Sequence, residues 1–363
     1  MKRTILLLAV AVAMVMGAKA QTATLQQGNN MTAYYGSNAF KDAYAAANSG
    51  AIITLSEGTF ITVDSITKPV TIIGSGYVGS VTSISYNTLQ TPITVTQNIT
   101  DGSSLEVKQA SLIINADNVK IDGVNFNYPV VLRTINDLHL SHCYLSELCS
   151  TGSCTNTIID QCYVKSARCS IRASKGTVKN SFVDAMRWSG FSFLNSVVYR
   201  ILYWGKDETI SINGSVCRNS ILGFYGYNPN IGEGCEWNGY QLGISNREHY
   251  YNCVLFLYPY TWNGSSFERV DYLASHLPCN ADNLYNDNSA STWDNLFDET
   301  LPWSDPNYIK TTTVGDDGKV VGPYGGTGFS LYPSIPRITE SKIDTYTNGE
   351  GKLNVKVKVE VGQ

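Results

Sequence analysis

The sequence predicts an all-β fold, a right-handed parallel β-helix, and three observations lead to that prediction. A short phrase recurs along the middle of the 363-residue chain: an apolar strand, a polar turn residue, a small residue and two apolar residues. A period near twenty residues with variable insertions is typical of the coils of a β-solenoid. The chain is charge-poor at 15% charged residues, yet 43% hydrophobic, so it is not disordered. One domain can therefore extend along most of its length.

The recurring phrase has seven instances, each marked by its small residue. These markers are Gly123, Cys143, Cys162, Ser181, Ser196, Ser220 and Cys253, with successive spacings of 20, 19, 19, 15, 24 and 33 residues. The residues before the markers form a turn column of Asp122, His142, Gln161, Asn180, Asn195, Asn219 and Asn252. Asparagine suits that column because it tolerates the left-handed conformation and its amide can bond the neighbouring coil.

Which side chains point inward is left open by the repeat. One register buries the small column together with Leu145 and Val164, and the other buries Tyr144, Tyr163 and Phe182 as an aromatic stack. A slip of one residue exchanges the two faces of a strand.

The two ends of the predicted domain differ from its middle. A helix near residues 38–49, with Asn38 as N-cap and Gly50 as its stop, is expected to cap one end of the solenoid. The β-helix domain covers residues 21–340, with long loops within 222–305. In residues 341–363 the apolar side chains from Leu353 to Val361 alternate with polar ones, which predicts a half-buried strand over the far end.

Residues 1–20 have the pattern of a signal peptide. Lys2 and Arg3 precede an apolar run that ends at Met16, and Ala18-Lys19-Ala20 matches an A-x-A cleavage site. We expect cleavage between Ala20 and Gln21 and a secreted, periplasmic or outer-surface location. No other apolar run approaches the length of a membrane span.

Export allows disulfides, but the chain has nine cysteines, an odd number. Cys149 and Cys154 flank a Gly/Ser-rich loop that could close on itself, whereas Cys143 and Cys162 lie in strand-like runs as small buried hydrophobes. No cysteine or histidine spacing indicates zinc.

Net charge limits the class of partner. The whole chain carries −4, and loss of the leader removes three basic residues, which leaves about −7. Nucleic acid is therefore not an expected partner.

The segments Gly50–Phe60 and Lys68–Gly76, together with the preceding helix, resemble the opening of pectin-lyase-like right-handed parallel β-helices. The closing Val321–Phe329 segment, the Pro333–Pro336 turn and the lysine/valine strand resemble secreted β-helix proteins of gut Bacteroidetes with no assigned function. This resemblance covers nearly all of residues 30–363 and implies the fold. It does not imply an activity, because one fold serves many functions.

The catalytic signatures of that superfamily are missing from the sequence. There is no Gly-His-Gly or Arg-x-Lys, and the only Asp-Asp pair, Asp316-Asp317, lies in a Gly-rich turn. An enzymatic alternative places Lys165 and Asp184 at equivalent positions on successive coils, near Arg187. A base beside arginines could abstract a proton next to a uronate carboxylate, whereas the simpler interpretation is a surface ion pair.

Aromatic residues in the second half of the chain are the stronger candidates for binding. Sugar rings dock on aromatic faces while polar side chains bond their hydroxyl groups. The candidate ligand-binding residues are Trp188, Trp204, Tyr225, Trp237, Tyr258 and Trp262. The alternative is that these rings pack the loops onto the solenoid.

The remaining histidines and aspartates give weaker indications of a functional site. His139 and His142 lie three residues apart, and alternating strand faces predict that they point in different directions. The aspartates Asp282, Asp287, Asp294 and Asp298 offer oxygen ligands for Ca²⁺ but have no EF-hand register, so no cofactor is expected.

The sequence thus predicts an exported monomer that binds a polysaccharide or a cell-surface glycan without catalysis. A polysaccharide lyase or glycoside hydrolase acting on acidic glycans is the first alternative. A structural spacer without a ligand is the second.

Overall fold

A computed structural model shows a β-solenoid with parallel stacked sheets, which confirms the predicted fold class. The structure describes residues 21–78, 81–85, 95–98, 104–107, 112–165, 167–169, 175–187, 191–201, 216–224, 250–262, 265, 267–269, 289–333, 336–343 and 355–361. The predicted leader lies outside these residues. Among them, no helix has the length and apolar character needed to cross a membrane.

The strands and helices are as follows. The strands before residue 116 are β1 (Thr22–Gln27), β2 (Asn30–Tyr35), β3 (Ala51–Leu55), β4 (Gly58–Ile61), β5 (Val70–Ile73), β6 (Thr82–Ser85), β7 (Val95–Asn98), β8 (Ser104–Val107) and β9 (Leu112–Ile114). The strands of the middle are β10 (Lys120–Asp122), β11 (Asn125–Phe126), β12 (Val130–Leu132), β13 (Ile135–Asn136), β14 (His139–Ser141), β15 (Tyr144–Leu145), β16 (Leu148–Ser150), β17 (Cys154–Thr155), β18 (Thr157–Asp160), β19 (Tyr163–Val164), β20 (Ala167–Cys169), β21 (Gly176–Lys179), β22 (Phe182–Arg187), β23 (Phe191–Leu194) and β24 (Val197–Ile201). The remaining strands are β25 (Cys217–Arg218), β26 (Ile221–Phe224), β27 (Tyr250–Tyr251), β28 (Val254–Leu257), β29 (Tyr260–Trp262), β30 (Phe267–Arg269), β31 (Ser289–Ala290), β32 (Pro336–Ile343) and β33 (Val355–Val361). The helices are α1 (Ala39–Ala46), α2 (Trp293–Leu296) and a 3-10 turn (Pro306–Tyr308).

Two large sheets form the solenoid. The first sheet has eleven strands in the order β2-β1-β3-β5-β10-β14-β18-β21-β23-β25-β27, parallel from β3 onward. The second sheet has fourteen strands, and its main path runs from β4 and β6 through β11, β15, β19, β22, β24, β26 and β28 to β31. Successive coils therefore add strands to both sheets, and three middle coils each add two strands to the second sheet, namely β11 and β12, β15 and β16, and β19 and β20. Equivalent residues of adjacent coils stack about 4.8 Å apart.

The turn between the two sheets follows the predicted asparagine column. The backbone is left-handed at His142, Gln161, Asn180, Asn195, Asn219 and Asn252. The first instance needs a correction: Asp122 pairs with Ser141, so Gly123, with φ +70°, occupies the turn column and Val124 aligns with Cys143. The first spacing is then 19 residues rather than 20, equal to the two that follow.

The small column stacks inside the solenoid, where its polar atoms bond across coils. The Ser181 hydroxyl accepts from the backbone N–H of Cys162 at 3.0 Å and donates to the Lys179 carbonyl at 2.7 Å. The hydroxyls of Ser196 and Ser220 accept in the same way from the preceding coil. A small side chain with one polar atom thus fills the corner and satisfies a buried backbone donor.

The inward register is the one that buries the small column with Leu145, Val164, Val183 and Val198. Of the alternative aromatic register, Phe182 is buried and Tyr144 and Tyr163 are half-buried. Phe182, Val197, Ile221 and Val254 point outward from the second sheet, where they join a second buried cluster. The solenoid therefore has one core inside its coils and another on the outside of the second sheet.

That outer core is closed by the C-terminal cover, which we define as residues 293–333. The Phe182 ring lies 5.3 Å from the Trp303 ring and 5.2 Å from the Phe329 ring, centroid to centroid. The Trp293 ring lies 5.7 Å from that of Phe256. The cover therefore gives the outward aromatic column the partners that its burial requires.

The last part of the cover runs back along the turn column. The Asn219 amide donates to Asp316, and the Asn195 amide donates to Asp317. The Asn180 amide donates to the carbonyls of Pro323 and Gly325, at 3.0 and 2.7 Å. Further along, the Ser330 N–H donates to the Gln161 side chain, and Pro333 lies against Gly123 and Gly76.

The close approach of the cover to the turn column explains why two residues of the cover are glycines. A Cβ on Gly325 or Gly326 would lie 2.6 or 2.7 Å from the Asn195 amide nitrogen. A side chain at either position would therefore push the cover off the turn column.

The first coils carry an antiparallel addition that the sequence analysis missed. β1 pairs antiparallel with both β2 and β3, and Gly28 (φ +60°) makes the turn of the β1–β2 hairpin. Helix α1 lies beside these strands with Phe40, Ala43 and Tyr44 buried in the core. It ends earlier than predicted, at Ala46, and the Asn38 side chain makes no cap hydrogen bond. Its role as a cap stays a prediction.

The C-terminal strand β33 forms an antiparallel hairpin with β32. We expected it over the far end of the solenoid, but the cover returns toward the first coils before the hairpin begins. Pro333, which contacts Gly123 and Gly76, is three residues before Pro336, a reach of at most about 10 Å. The hairpin therefore starts beside the first coils.

The six cysteines whose side chains are described are buried and form no disulfide with one another: Cys143, Cys149, Cys154, Cys162, Cys217 and Cys253. The loop between Cys149 and Cys154 is therefore not closed by a disulfide. The Cys154 thiol instead lies 3.2 Å from the Ser150 hydroxyl.

Candidate functional site

The outer surface of the first sheet is polar, and we call it the open face. It consists of the residues that alternate with the buried core positions of β10, β14, β18, β21, β23, β25 and β27. One row contains Lys120, His139, Ile158, Thr177 and Ser192, and the other contains Asp122, Ser141, Asp160, Lys179, Leu194, Arg218 and Tyr251. All of them are half-buried or exposed, whereas Phe182, Val197, Ile221 and Val254 on the outer side of the second sheet are buried.

A carboxylate–imidazole pair lies at one margin of the open face. The Asp122 Oδ1 and His142 Nδ1 atoms are 2.7 Å apart. The His142 ring belongs to the turn column and is 5% exposed, whereas Asp122 is half-buried on the adjacent coil. The left-handed turn directs the imidazole toward the face, which strand alternation alone did not predict.

A second pair lies two coils further along the same row. The Lys179 ammonium is 2.9 Å from Asp160 Oδ2, while Asp160 Oδ1 is buried without a hydrogen-bond partner among the described residues. His139, on the coil before Asp160, also has a buried Nε2 atom without such a partner. Burial lowers the pKa of His139, and the Asp160 carboxylate opposes that shift. The imidazole is therefore mainly neutral at pH 7.

An aromatic side chain stands near the far end of the open face. The Arg218 guanidinium lies 5.0 Å from the centre of the Tyr251 ring, over its face. Arg218 also pairs with Asp316 of the cover. The open face thus offers donors, acceptors and one half-buried ring in rows spaced by the coil repeat.

The proposed catalytic trio is placed partly together. Val164 pairs with Val183, so the exposed Lys165 and the half-buried Asp184 follow each other on adjacent coils, as predicted. The Asp184 carboxylate is 2.9 Å from Arg200, a residue that the sequence analysis did not single out. Arg187 pairs through its backbone with Arg168. Its side chain is outside the described residues.

Most of the predicted aromatic binding residues lie outside the described residues, namely Trp188, Trp204, Tyr225 and Trp237. For Trp262 only the strand backbone is described, in β29. Tyr258 is described: its ring lies 5.6 Å from the Trp293 ring, and Arg200 lies over it at 5.2 Å. The described tryptophans Trp293 and Trp303 contribute to the outer core.

The predicted calcium loop is described only in its second half. Asp294 pairs with Arg269, and Asp298 accepts from the N–H and the hydroxyl of Thr300. Within the described residues, no group of three or more acidic, histidine or cysteine side chains is arranged to hold a metal ion. Asp282 and Asp287 lie outside them.

The open face was missed in the sequence because its signal is weak in any one coil. Asp122, Ser141, Asp160 and Lys179 form a continuous row only once the register is known. The alternation of each strand was visible, but a shift of one residue in the first coil hid the stacking of Asp122 on Ser141.

Comparisons of the chain with protein-family models, with curated proteins and with solved structures found no match.

Proposed function

We propose that this protein is an exported, non-catalytic glycan-binding protein whose ligand lies along the open face of the first sheet. The observation that carries the proposal is the pair of parallel polar rows, which are accessible, whereas Phe182, Val197, Ile221 and Val254 on the outer side of the second sheet are buried. A rigid sheet with a regular spacing of donors and acceptors suits an extended polymer.

The chemistry of the rows matches hydroxyl recognition. The Asp160–Lys179 and Asp122–His142 pairs present carboxylates beside cationic or imidazole donors. Sugar hydroxyls both donate and accept, so they can bond both members of each pair. The Tyr251 ring adds an apolar surface for a sugar face.

A glycan array with the mature chain tests the proposal, with two sets of variants. Tyr251→Ala and Lys179→Ala change the open face, whereas Trp204→Ala and Trp262→Ala change the predicted aromatic loops. We expect binding to fall about tenfold or more in the first set, because each variant removes a contact with the ligand that contributes about 1–2 kcal/mol to binding. Val320→Ala, on the exposed hairpin of the cover, is the matched control and should bind normally. A silent array would support the spacer alternative instead.

The enzymatic alternative is favoured by one observation: the exposed Lys165 and the half-buried Asp184 follow each other on adjacent coils. Assays for reducing ends and for unsaturated products on acidic glycans test it. Turnover that is abolished by Lys165→Ala would replace the binding proposal. The ion pair of Asp184 with Arg200 supports a structural role for this carboxylate.

A further inference from the structure

Strand β2 is an unprotected edge. It is the last strand of the first sheet among the strands that the structure describes, and five of its six residues are exposed. Its sequence, Asn-Met-Thr-Ala-Tyr-Tyr, has no charge and no proline, the two devices that most often keep an edge strand from pairing. Of the four exposed large apolar side chains in the described residues, Met31 and Tyr35 belong to this strand.

The register of β2 on β1 decides which of its backbone groups are free. Gln21 faces Gly36, and the Gly36 N–H donates to the Gln21 carbonyl at 2.8 Å. Hydrogen-bonded pairs of an antiparallel ladder recur every second residue, so Tyr34 and Thr32 also bond β1. The N–H and C=O groups of Met31, Ala33 and Tyr35 therefore point away from the sheet.

The side chains of the same three residues share one surface. Tyr34 is opposite Ala23 and packs against the core, so the side chains of Met31, Ala33 and Tyr35 stand on the outer side of the sheet. Met31 is 68% exposed and Tyr35 is 70% exposed. The free backbone groups and the exposed apolar groups therefore belong to one short segment.

We propose that β2 pairs antiparallel with β2 of a second copy of this chain, about a two-fold axis at Ala33. In this register Met31 faces the partner's Tyr35, Ala33 faces the partner's Ala33, and Tyr35 faces the partner's Met31. All six outward backbone groups of each copy are then satisfied, since each facing pair exchanges two hydrogen bonds. A register shifted by one residue would place these groups opposite residues whose own groups already bond β1.

Self-complementarity favours a second copy over another partner. The strand carries no charge, so no like charges meet across the axis, and each exposed Tyr35 covers an exposed Met31. The first sheets of the two copies become one continuous sheet, and the solenoid ends that carry helix α1 face each other. This proposal differs from the monomer that the sequence predicted, and it does not depend on the proposed glycan binding.

Sedimentation velocity of the mature chain from about 1 µM to 1 mM tests the dimer, a range that suits a small interface. We expect a concentration-dependent dimer. Ala33→Pro removes both central hydrogen bonds and should weaken it about 100-fold, since each bond contributes up to about tenfold. The Met31→Lys/Tyr35→Lys double variant keeps the backbone and should also give monomer, because its charges meet across the axis. Val314→Lys, exposed elsewhere, should leave the dimer unchanged.

Cross-linking checks the register independently. Ala33→Cys places two thiols on the axis with their Cα atoms about 5.5 Å apart and should react with a short bifunctional maleimide. Met31→Cys places them about 14 Å apart, beyond its reach. A chain that stays monomeric at every concentration would overturn the proposal, as would a dimer that survives Ala33→Pro and the double lysine variant. Thermal unfolding monitored by circular dichroism identifies any variant that fails to fold.

Discussion

The outer surfaces of the two sheets have opposite character although the same coils build both. On the first sheet, polar and charged residues such as Lys120, Asp160 and Lys179 are in contact with solvent. On the second sheet, Phe182, Val197 and Ile221 are fully buried under the C-terminal cover. In this protein the apolar outward column of the second sheet is covered and forms a second core, because a large apolar surface left open to water is unfavourable.

The comparison also separates stability from recognition. Residues of the covered surface make many ring contacts, whereas residues of the open face make isolated ion pairs. Variants of the covered surface should therefore lower the free energy of unfolding strongly, whereas variants of the open face should mainly affect ligand binding.

The largest effect is expected for Phe182→Ala. This ring is fully buried between Trp303, Tyr324 and Phe329, so its removal leaves a cavity in the outer core. The free energy of unfolding should fall by about 3–5 kcal/mol, measured by urea denaturation. The matched control on the open face is Ile158→Ala, which should cost about 1 kcal/mol or less. Equal losses would show that the cover adds no stability.

A smaller effect is expected where the cover meets the turn column. Asn180→Ala removes two hydrogen bonds to cover carbonyls and places alanine at φ +45°, so we expect a loss of about 2–4 kcal/mol. Asn180→Gly keeps the left-handed backbone favourable and should lose only about 1–2 kcal/mol. Thermal unfolding of the two variants separates the amide from the backbone contribution. Identical melting temperatures would contradict this division.

The cover should also loosen in acid. Burial alone would raise the pKa of Asp317, but the N–H groups of Lys319 and Gly326 and the Asn195 amide hold the pKa below its ordinary value. A carboxyl group with a lowered folded-state pKa stabilises the protein above its unfolded pKa, near 3.9, and this contribution disappears as the pH falls through the folded pKa. The melting temperature of Asp317→Asn should therefore be lower than that of the wild type at pH 6. The gap should narrow as the pH falls below about 3.9, and a gap independent of pH would exclude the carboxylate.

The smallest stability effect is expected on the open face. Lys179→Ala removes a partly exposed ion pair with Asp160 and should cost under about 1 kcal/mol. Its effect on glycan binding should be far larger in proportion. A strongly destabilised Lys179→Ala variant with normal binding would reverse the assignment of the two surfaces.

The sequence predicted the coil well because the constraint on it is local. Asn180, Asn195 and Asn219 each occupy a left-handed turn, and the residue type that tolerates that conformation is visible in the sequence. The first coil was misaligned because glycine takes the turn there instead of Asp122. The position of Val124 against Cys143 requires the strand pairing.

The site could not be predicted to the same degree because it depends on contacts between distant segments. The aromatic column of Tyr163 and Phe182 was recognised, but sequence alone could not show that Trp303 would cover it. The placement of that ring depends on the path of the cover, which is set by its bonds to Asn180 and Asn195. Composition indicated aromatic binding loops, most of whose residues lie outside the described part of the chain, whereas the described Trp293 and Trp303 contribute to the outer core.

The return of the cover along the turn column has a mechanical consequence. Gln21, which bonds Thr59, and Pro333, which contacts Gly76, both lie at the first coils, so the chain enters and leaves the stack at the same end. A pull applied between these two points would load the contacts of the first coils and leave the later coils unstrained. The later coils would then project as an unloaded rod, and the force would not separate them one after another.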